Sequence, residues 1–315
     1  MKNAIVSGAN GFIGSALVRE LIQHDVHVVA LTRKGHTNNV PVSNLVTIVP
    51  FDMDNSIDLL TDLPQRGFDV FFHLAWSNAS GLSSTNVPLQ LRNVQNTIDC
   101  MKIAKALGCR RFVNSSSILE IEAYRATLAQ GNRPGASRFV YGASKLSSHI
   151  ICECLASELD MGFISALVTN AYGPGEVSAR MVNTAIRKCI YGENPQFTSA
   201  TQLYDFVYIN DVARAFRLIG EKGTPFHEYT IGSSNARPLK DFLLEMKSAI
   251  APNLDFVFGS IPYTGGVMLE EDFDCSETER DTGFRASISF GEGCIRTRDW
   301  LVKDMQAREE PRSHS

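Results

Sequence analysis

Residues 4–14 read Ala4-Ile5-Val6-Ser7-Gly8-Ala9-Asn10-Gly11-Phe12-Ile13-Gly14. An apolar triplet runs into three glycines spaced three apart, and a helical pattern follows with Leu17, Leu21 and Ile22 on one face. A strand, a glycine turn and a helix in direct succession form the context in which a chain cradles the pyrophosphate of a dinucleotide. Gly8 permits the tight turn, Gly11 lets the backbone approach phosphate, and Gly14 lets the helix pack close to the strand. The helix start at Phe12 and Ile13 offers unpaired N–H groups and a positive dipole end. The spacing is Gly-x-x-Gly-x-x-Gly, not the Gly-x-Gly-x-x-Gly of the commoner dehydrogenases.

Outward from this loop the pattern repeats. Val26 to Leu31, Leu45 to Val49, Val70 to Leu74 and Arg111 to Asn114 read as strands, and Phe12 to His24 and Val94 to Leu107 read as helices. Alternation of this kind predicts an α/β fold, a Rossmann-type doubly wound parallel sheet covered by helices on both faces. From about residue 170 glycine and proline become frequent, with helical stretches at 178–191, 210–220, 238–250 and 291–302. The expected organisation is a dinucleotide-binding domain over 1–170, rejoined by segments near 200–235, and a smaller C-terminal substrate lobe over 171–305. A polar, frayed tail is expected over 306–315.

Composition narrows the function classes. A formal net charge of -4 gives no electrostatic basis for binding nucleic acid. No apolar run approaches the roughly 20 residues that span a bilayer. The seven cysteines are scattered, without the paired spacing that zinc requires, so no metal is expected and the thiols fit a reducing cytoplasm.

The second strand ends in Thr32-Arg33-Lys34. An acidic residue at this place would hold the 2′-hydroxyl of NAD. Arg33 and Lys34 instead offer cations to a 2′-phosphate, which favours NADP(H) over NAD(H). Tyr141 and Lys145 stand four residues apart and share a helix face. A nearby ammonium lowers a phenol's pKa, so the pair is expected to serve as an acid/base at a carbonyl or alcohol oxygen. Ser117, at the end of a predicted central strand, faces the ligand crevice and completes the constellation.

With these motifs in order, the chain resembles the extended short-chain dehydrogenase/reductases, in particular the NAD-dependent epimerase/dehydratase group acting on nucleotide sugars. Asp52 and Met53 match the family's adenine contact, and Leu74-Ala75-Trp76 the strand end beside the cofactor ribose. Asn93 matches a helix asparagine, and Asn170-Ala-Tyr-Gly-Pro-Gly175 and Asp205 to Val212 match later segments. The resemblance implies Tyr141 as general acid/base, Lys145 on the nicotinamide ribose, Ser117 on the reacting oxygen, and Asn170 on the substrate. It also implies a homodimer built from helices near 94–107 and 140–159. Trp76 is expected to line the substrate pocket.

Departures from the family pattern are equally specific. Ser117-Ile118-Leu119 stands where sugar-nucleotide 4,6-dehydratases have Thr-Asp-Glu, so the pair that eliminates water is missing. Tyr204, Leu167 and Glu270-Glu271 replace three arginines. Phosphate contacts are therefore expected from Arg180, Arg187 or Lys188. Glu120 and Glu122 read as solvated loop carboxylates, and His149 as a surface or packing residue. Loops at 76–90, 118–138 and 260–272 are expected to shape the substrate pocket. The reading is an NADPH-dependent reductase of a keto group on a nucleotide-activated deoxysugar. The alternatives are a nucleotide-sugar epimerase, a reductase of a non-sugar carbonyl, and a non-catalytic NADP sensor, which the intact Ser117, Tyr141 and Lys145 disfavour.

Overall fold

The computed structural model describes residues 1–63, 66–77, 84–128 and 139–309. Seven parallel strands form the main sheet in the order β10-β6-β5-β4-β1-β2-β3. In chain order these are β1 (Asn3–Ser7), β2 (His27–Thr32), β3 (Val46–Pro50), β4 (Val70–His73), β5 (Arg111–Ser117), β6 (Gly162–Val168) and β10 (His227–Ile231). The order reverses between β1 and β4, which opens a crevice at their C-terminal ends. On one face Leu17, Val18 and Leu21 of α1 (Phe12–Ile22) and Val212, Phe216 and Ile219 of α7 (Ile209–Lys222) bury against Val6, Phe72, Val113 and Ile164. On the other face α3 (Val87–Ala106) and α5 (Val140–Glu158) cover Ile5, Phe71, Phe112 and Phe163. Strands buried on both faces explain their unbroken apolar runs.

A separate core lies beyond the sheet. Short pairs β7 (Asn170–Tyr172) with β9 (Phe206–Tyr208) and β8 (Leu203–Tyr204) with β11 (Arg237–Pro238) adjoin α6 (Met181–Ile190), α8 (Leu239–Ile250) and α10 (Phe290–Glu309). Tyr172, Ile186, Phe206, Phe242, Phe290 and Leu301 fill it. Because α7 and β10 return to the sheet, the two cores are interleaved in sequence.

Several elements differ from the sequence reading. Residues 119–128, expected as loop, form α4 (Leu119–Leu128), and α9 (Ser276–Thr282) was not anticipated. Helix α3 starts at Val87, seven residues earlier than read. Asn86 caps it by accepting from the Leu89 N–H at 3.1 Å, and Pro88 lies in its first turn. Helix α10 runs to Glu309, so only 310–315 of the expected tail lies outside the described residues. Residues 78–83 and 129–138 of the expected pocket loops also lie outside them. Among the described residues, no helix is long and apolar enough to cross a membrane.

Candidate functional site

The glycine turn behaves as its spacing requires. Gly8 has φ of +70°, and a Cβ at Gly14 would lie 2.1 Å from the Gly8 carbonyl oxygen. No larger residue at position 14 allows α1 to pack so close. Gly11 caps α1 without a side-chain bond, and the first turn carries no acidic residue. The N–H groups of Phe12, Ile13 and Gly14 therefore lack intrahelical partners. A groove of about 330 Å³ opens over this turn, lined by Gly8, Gly11, Thr32, Arg33, Asp52, Met53, Leu74, Ala75 and Trp76. Unpaired amides at a helix start, facing a groove free of acidic first-turn residues, fit a dinucleotide pyrophosphate.

Arg33 also lines an adjoining hollow of about 500 Å³, together with Lys34. Three carboxylates, Asp52, Asp58 and Asp62, share that hollow. Asn10 and His36 line the groove as well, and the sequence reading had passed over both. Asn10 is fixed there because its side-chain oxygen accepts from the Asn39 N–H at 2.8 Å.

Asn93 is placed elsewhere. It is buried, and its amide bridges Ser77 by accepting from the backbone N–H at 3.0 Å and donating to the carbonyl at 2.9 Å. It orders the segment after β4 rather than lining the groove. Phe12 and Ile13 likewise turn their side chains into the cores, so only their backbone faces the groove.

A second cavity, of about 480 Å³, meets the strand ends of β5 and β7. Ser117, Tyr141, Asn170, Arg180, Glu122, Glu176 and Tyr204 line it. Ser117 and the Tyr141 phenol share this cavity, and Ser117 acts to lower the phenol's pKa. Asn170 donates its side-chain amide to the Asp205 carbonyl at 3.0 Å. Arg180 pairs loosely with Glu176 at 3.8 Å, whereas Arg187 and Lys188 sit in the last turn of α6 and do not line the cavity. Of the three expected phosphate contacts only Arg180 is in place. Trp76 lines the groove and not this cavity, and its ring meets Tyr141 edge-on at 5.9 Å.

Lys145, one turn along α5 from Tyr141, is buried. Its ammonium donates to the Ser115 carbonyl at 2.8 Å and sits 3.8 Å over the Trp76 ring. The Trp76 indole N–H is itself held by Gln90 at 2.8 Å. Burial pulls Lys145 down to about 8, with the Glu120 charge opposing. Tyr141 departs from expectation. Burial pushes it up to about 12, Arg180 opposes, Glu120 adds to the rise, and the Ser117 hydrogen bond opposes it. In the protein alone the cation that lowers the phenol is Arg180, not Lys145.

Glycine at 142 was also missed. A Cβ there would lie 2.1 Å from the Leu119 carbonyl oxygen, so Gly142 lets α5 lie against α4. Glu120 and Glu122, read as solvated, are both buried. Glu122 accepts from the Gly266 N–H at 2.6 Å, and Glu120 pairs with His149 at 3.2 Å. Their partners come from distant sequence, which is why a local reading left them in solvent. Glu120, His149 and Glu228 offer donor atoms within 4.8 Å of one another.

A profile of the NAD-dependent epimerase/dehydratase family matches residues 4–232. The chain belongs to this family. It is similar to CDP-abequose synthase of Salmonella typhimurium, 28% identical over 268 residues, covering 82% of this chain and 84% of that protein. It is also similar to dTDP-glucose 4,6-dehydratase of Streptomyces antibioticus, 25% identical over 321 residues, covering 98% and 95% of the two chains. The fold matches the enzyme WbmF of Bordetella bronchiseptica, solved with NADH, at a TM-score of 0.80 and 22% identity, covering 98% and 94% of the chains. An epimerase from Methanothermobacter thermautotrophicus gives a TM-score of 0.79 at 20% identity, covering 98% and 95%. The protein is thus an NAD(P)-dependent enzyme of the extended short-chain dehydrogenase/reductase type, with the expected Rossmann-like sheet.

Two histidines carry opposite titration behaviour. His73 is fully buried and its pKa is pulled down to about 3, first by burial and then by the Lys145 charge. The Ser7 hydroxyl accepts from the N–H groups of Leu74 and Ala75 at 3.2 and 3.3 Å, so its own proton goes to His73 Nδ1 at 3.0 Å. That leaves the proton of a neutral ring on Nε2, facing Thr97 Oγ1 at 3.3 Å. For His149 burial acts downward, but Glu120, Glu228 and Glu153 outweigh it and hold the pKa above the ordinary 6.5. A raised pKa contributes stability that is full below 6.5 and lost as pH rises through the folded value. A depressed one costs stability as pH falls from 6.5 toward 3. In a ring-carbon NMR titration His73 should stay flat between pH 5 and 8, while the His149 midpoint should lie above 6.5. A His73 signal that moves with a midpoint near 6.5 would contradict the assigned burial.

Proposed function

We propose that this protein is an NADPH-dependent reductase of a keto group on a nucleotide-activated deoxysugar. The observation that carries the reading is the wall of the cavity beside Tyr141. Ser117 lines it with Tyr141, and the next two lining residues are Ile118 and Leu119. A site for water elimination needs an acid and a base at the sugar; positions 118 and 119 supply neither, and the nearby Glu122 is engaged by the Gly266 N–H. The likeness to CDP-abequose synthase supports a reductase, and the family supports a nucleotide-sugar substrate. The second reading is an epimerase, favoured by the epimerase fold neighbour.

In this account Gly8, Gly11 and Gly14, with the amides of Phe12 and Ile13, hold the pyrophosphate. Asp52 and Met53 face the adenine end, and Leu74, Ala75 and Trp76 the ribose. The bound cofactor supplies the hydride. Ser117 orients the carbonyl oxygen, and Tyr141 gives it a proton. Lys145 is the ribose anchor and the proton source behind Tyr141, because a buried ammonium near 8 exchanges its proton in the working range. Asn170 and Arg180 hold the sugar nucleotide. Arg33 and Lys34 face a 2′-phosphate in the hollow they line, against the field of its three aspartates. All seven cysteines are free, which fits the reducing cytoplasm. Leu91 on α3 and Ile150 and Ile151 on α5 are exposed at 60%, 52% and 44%, an apolar face that supports pairing of two copies.

Four outcomes follow. Native enzyme should oxidise NADPH in step with consumption of one member of a panel of nucleotide 4-keto-6-deoxysugars. Tyr141→Phe should lose turnover by at least about a hundred-fold yet bind NADPH nearly as well, by cofactor fluorescence. Near-native turnover in that variant would remove Tyr141 as the acid. Arg33→Ala should weaken NADPH binding at least about ten-fold more than NADH binding, and equal losses would sink the NADP assignment. Ile150→Asp should shift a sedimenting dimer to monomer, and a native protein that sediments as a monomer would refute the pairing.

A further inference from the structure

Tyr141, Lys145, His149 and Glu153 recur every four residues along α5 and so share one face. The first two belong to the site. His149 is a pivot for the others. Its Nδ1 lies 3.2 Å from Glu120 Oε2, 3.4 Å from Glu228 Oε2 and 3.4 Å from Ser165 Oγ. Its Nε2 lies 4.0 Å from Glu153 Oε2, and its ring packs on Phe163. Glu228 and Glu153 are 38% and 44% exposed, whereas Glu120 is 2% exposed. One imidazole therefore touches two carboxylates open to solvent and one sealed inside.

The inner end is poised toward the site. Glu120 Oε1 is buried with no hydrogen-bond partner among the described residues. Its charge acts on both Tyr141 and Lys145. The amide nitrogen and oxygen of buried Asn114 are unpartnered too, as is Ser116 Oγ. Both lie on strand β5, whose end carries Ser117. In register, Ser7, His73, Asn114, Ser165 and Glu228 form one row across β1, β4, β5, β6 and β10. Buried polar groups normally have partners, and unpaired ones mark places that an ordered water or a moving proton serves.

We propose that Glu228 and Glu153, His149 and Glu120 form a proton conduit from the β10 edge of the sheet to Tyr141 and Lys145. The proposal rests on the reductase reading, because a reductase takes one proton from solvent per turnover and an epimerase returns its own. The balance is simple. Hydride brings two electrons to the carbonyl carbon, and the carbonyl oxygen takes the Tyr141 proton. The phenolate is recharged from the Lys145 ammonium, that lysine from the Glu120 carboxyl through a water bound at the unpartnered Oε1, and Glu120 from the His149 imidazolium. Solvent reloads His149 through Glu228 or Glu153. The sum is ketone, NADPH and H⁺ giving alcohol and NADP⁺. His149, whose three neighbouring carboxylates outweigh its burial and hold its pKa above the ordinary value, is the natural donor in this line.

The test compares native protein with His149→Gln and Glu228→Gln. His149→Gln should lower kcat about ten-fold with little change in KM, raise the solvent deuterium isotope effect on kcat, and recover in part with added imidazole. Glu228→Gln, at the exposed rim, should show a smaller effect of the same kind and serves if His149→Gln fails to fold. A fall in kcat that imidazole does not relieve, with an unchanged isotope effect, would mean a structural role and overturn the proposal. A second readout needs no sugar. Mixing native protein with NADP⁺ should release a proton to a pH indicator, because the nicotinamide cation favours the phenolate. Tyr141→Phe should lack that release and His149→Gln should slow it. Equal release rates in native protein and His149→Gln would also overturn the conduit. Failure of the native enzyme to reduce any keto sugar would count against the reductase reading alone.

Discussion

A buried ammonium fixes the geometry of this site. Lys145 donates to the Ser115 carbonyl and lies over the face of Trp76, which joins α5, the end of β5 and the turn after β4 at one point. Taking an ammonium out of water costs several kcal/mol unless such partners replace its hydration. Each partner is therefore itself held. Gln90 fixes the Trp76 indole, Asn93 fixes the adjoining Ser77 backbone, and the strand register fixes Ser115. The same ammonium adds to the burial that keeps His73 neutral and is attracted by Glu120. Replacing one of these groups changes the electrostatic setting of the rest.

The sheet face under α3 and α5 is unusual for its mixture. Phe71, Phe112 and Phe163 form a ring-stacked apolar layer. Two residues along each strand, the polar row from His73 through Asn114 to Ser165 crosses the same face. The period of two keeps both sets on one side of the sheet. The apolar layer anchors the helices, while the polar row lies next to the strand ends that carry the chemistry. Placing polar groups so deep costs stability, which sites of reaction commonly tolerate.

Much of this was legible in the sequence, for identifiable reasons. The turn at Gly8 and the close packing at Gly14 follow from spacing, because only glycine meets those local geometries. Tyr141 and Lys145 were legible as a helix-spaced pair, and Ser117 as a strand end. What escaped depended on contacts far along the chain. Glu120 and Glu122 look like loop acids until α4 forms and until His149 and Gly266 arrive to pair with them. Asn93 matched a family position, yet its amide is taken by Ser77. Arg187 and Lys188 offered charge at the right distance in sequence but in the last turn of α6, away from the cavity that its first residues line. The expected lowering of Tyr141 failed because local spacing says nothing of burial, and burial dominates the phenol. His149 was read as a surface or packing residue one turn after Lys145, and no weight fell on Glu153, which continues the same four-residue stripe.

The central claim is a net, one-way hydride transfer to a sugar ketone. The most direct measurement uses NADPH carrying deuterium at nicotinamide C4, with the product followed by NMR. The account predicts one deuterium on the former carbonyl carbon of the sugar for each NADP⁺ formed. Interconversion of sugar epimers with no NADP⁺ accumulating would contradict it and make the protein an epimerase.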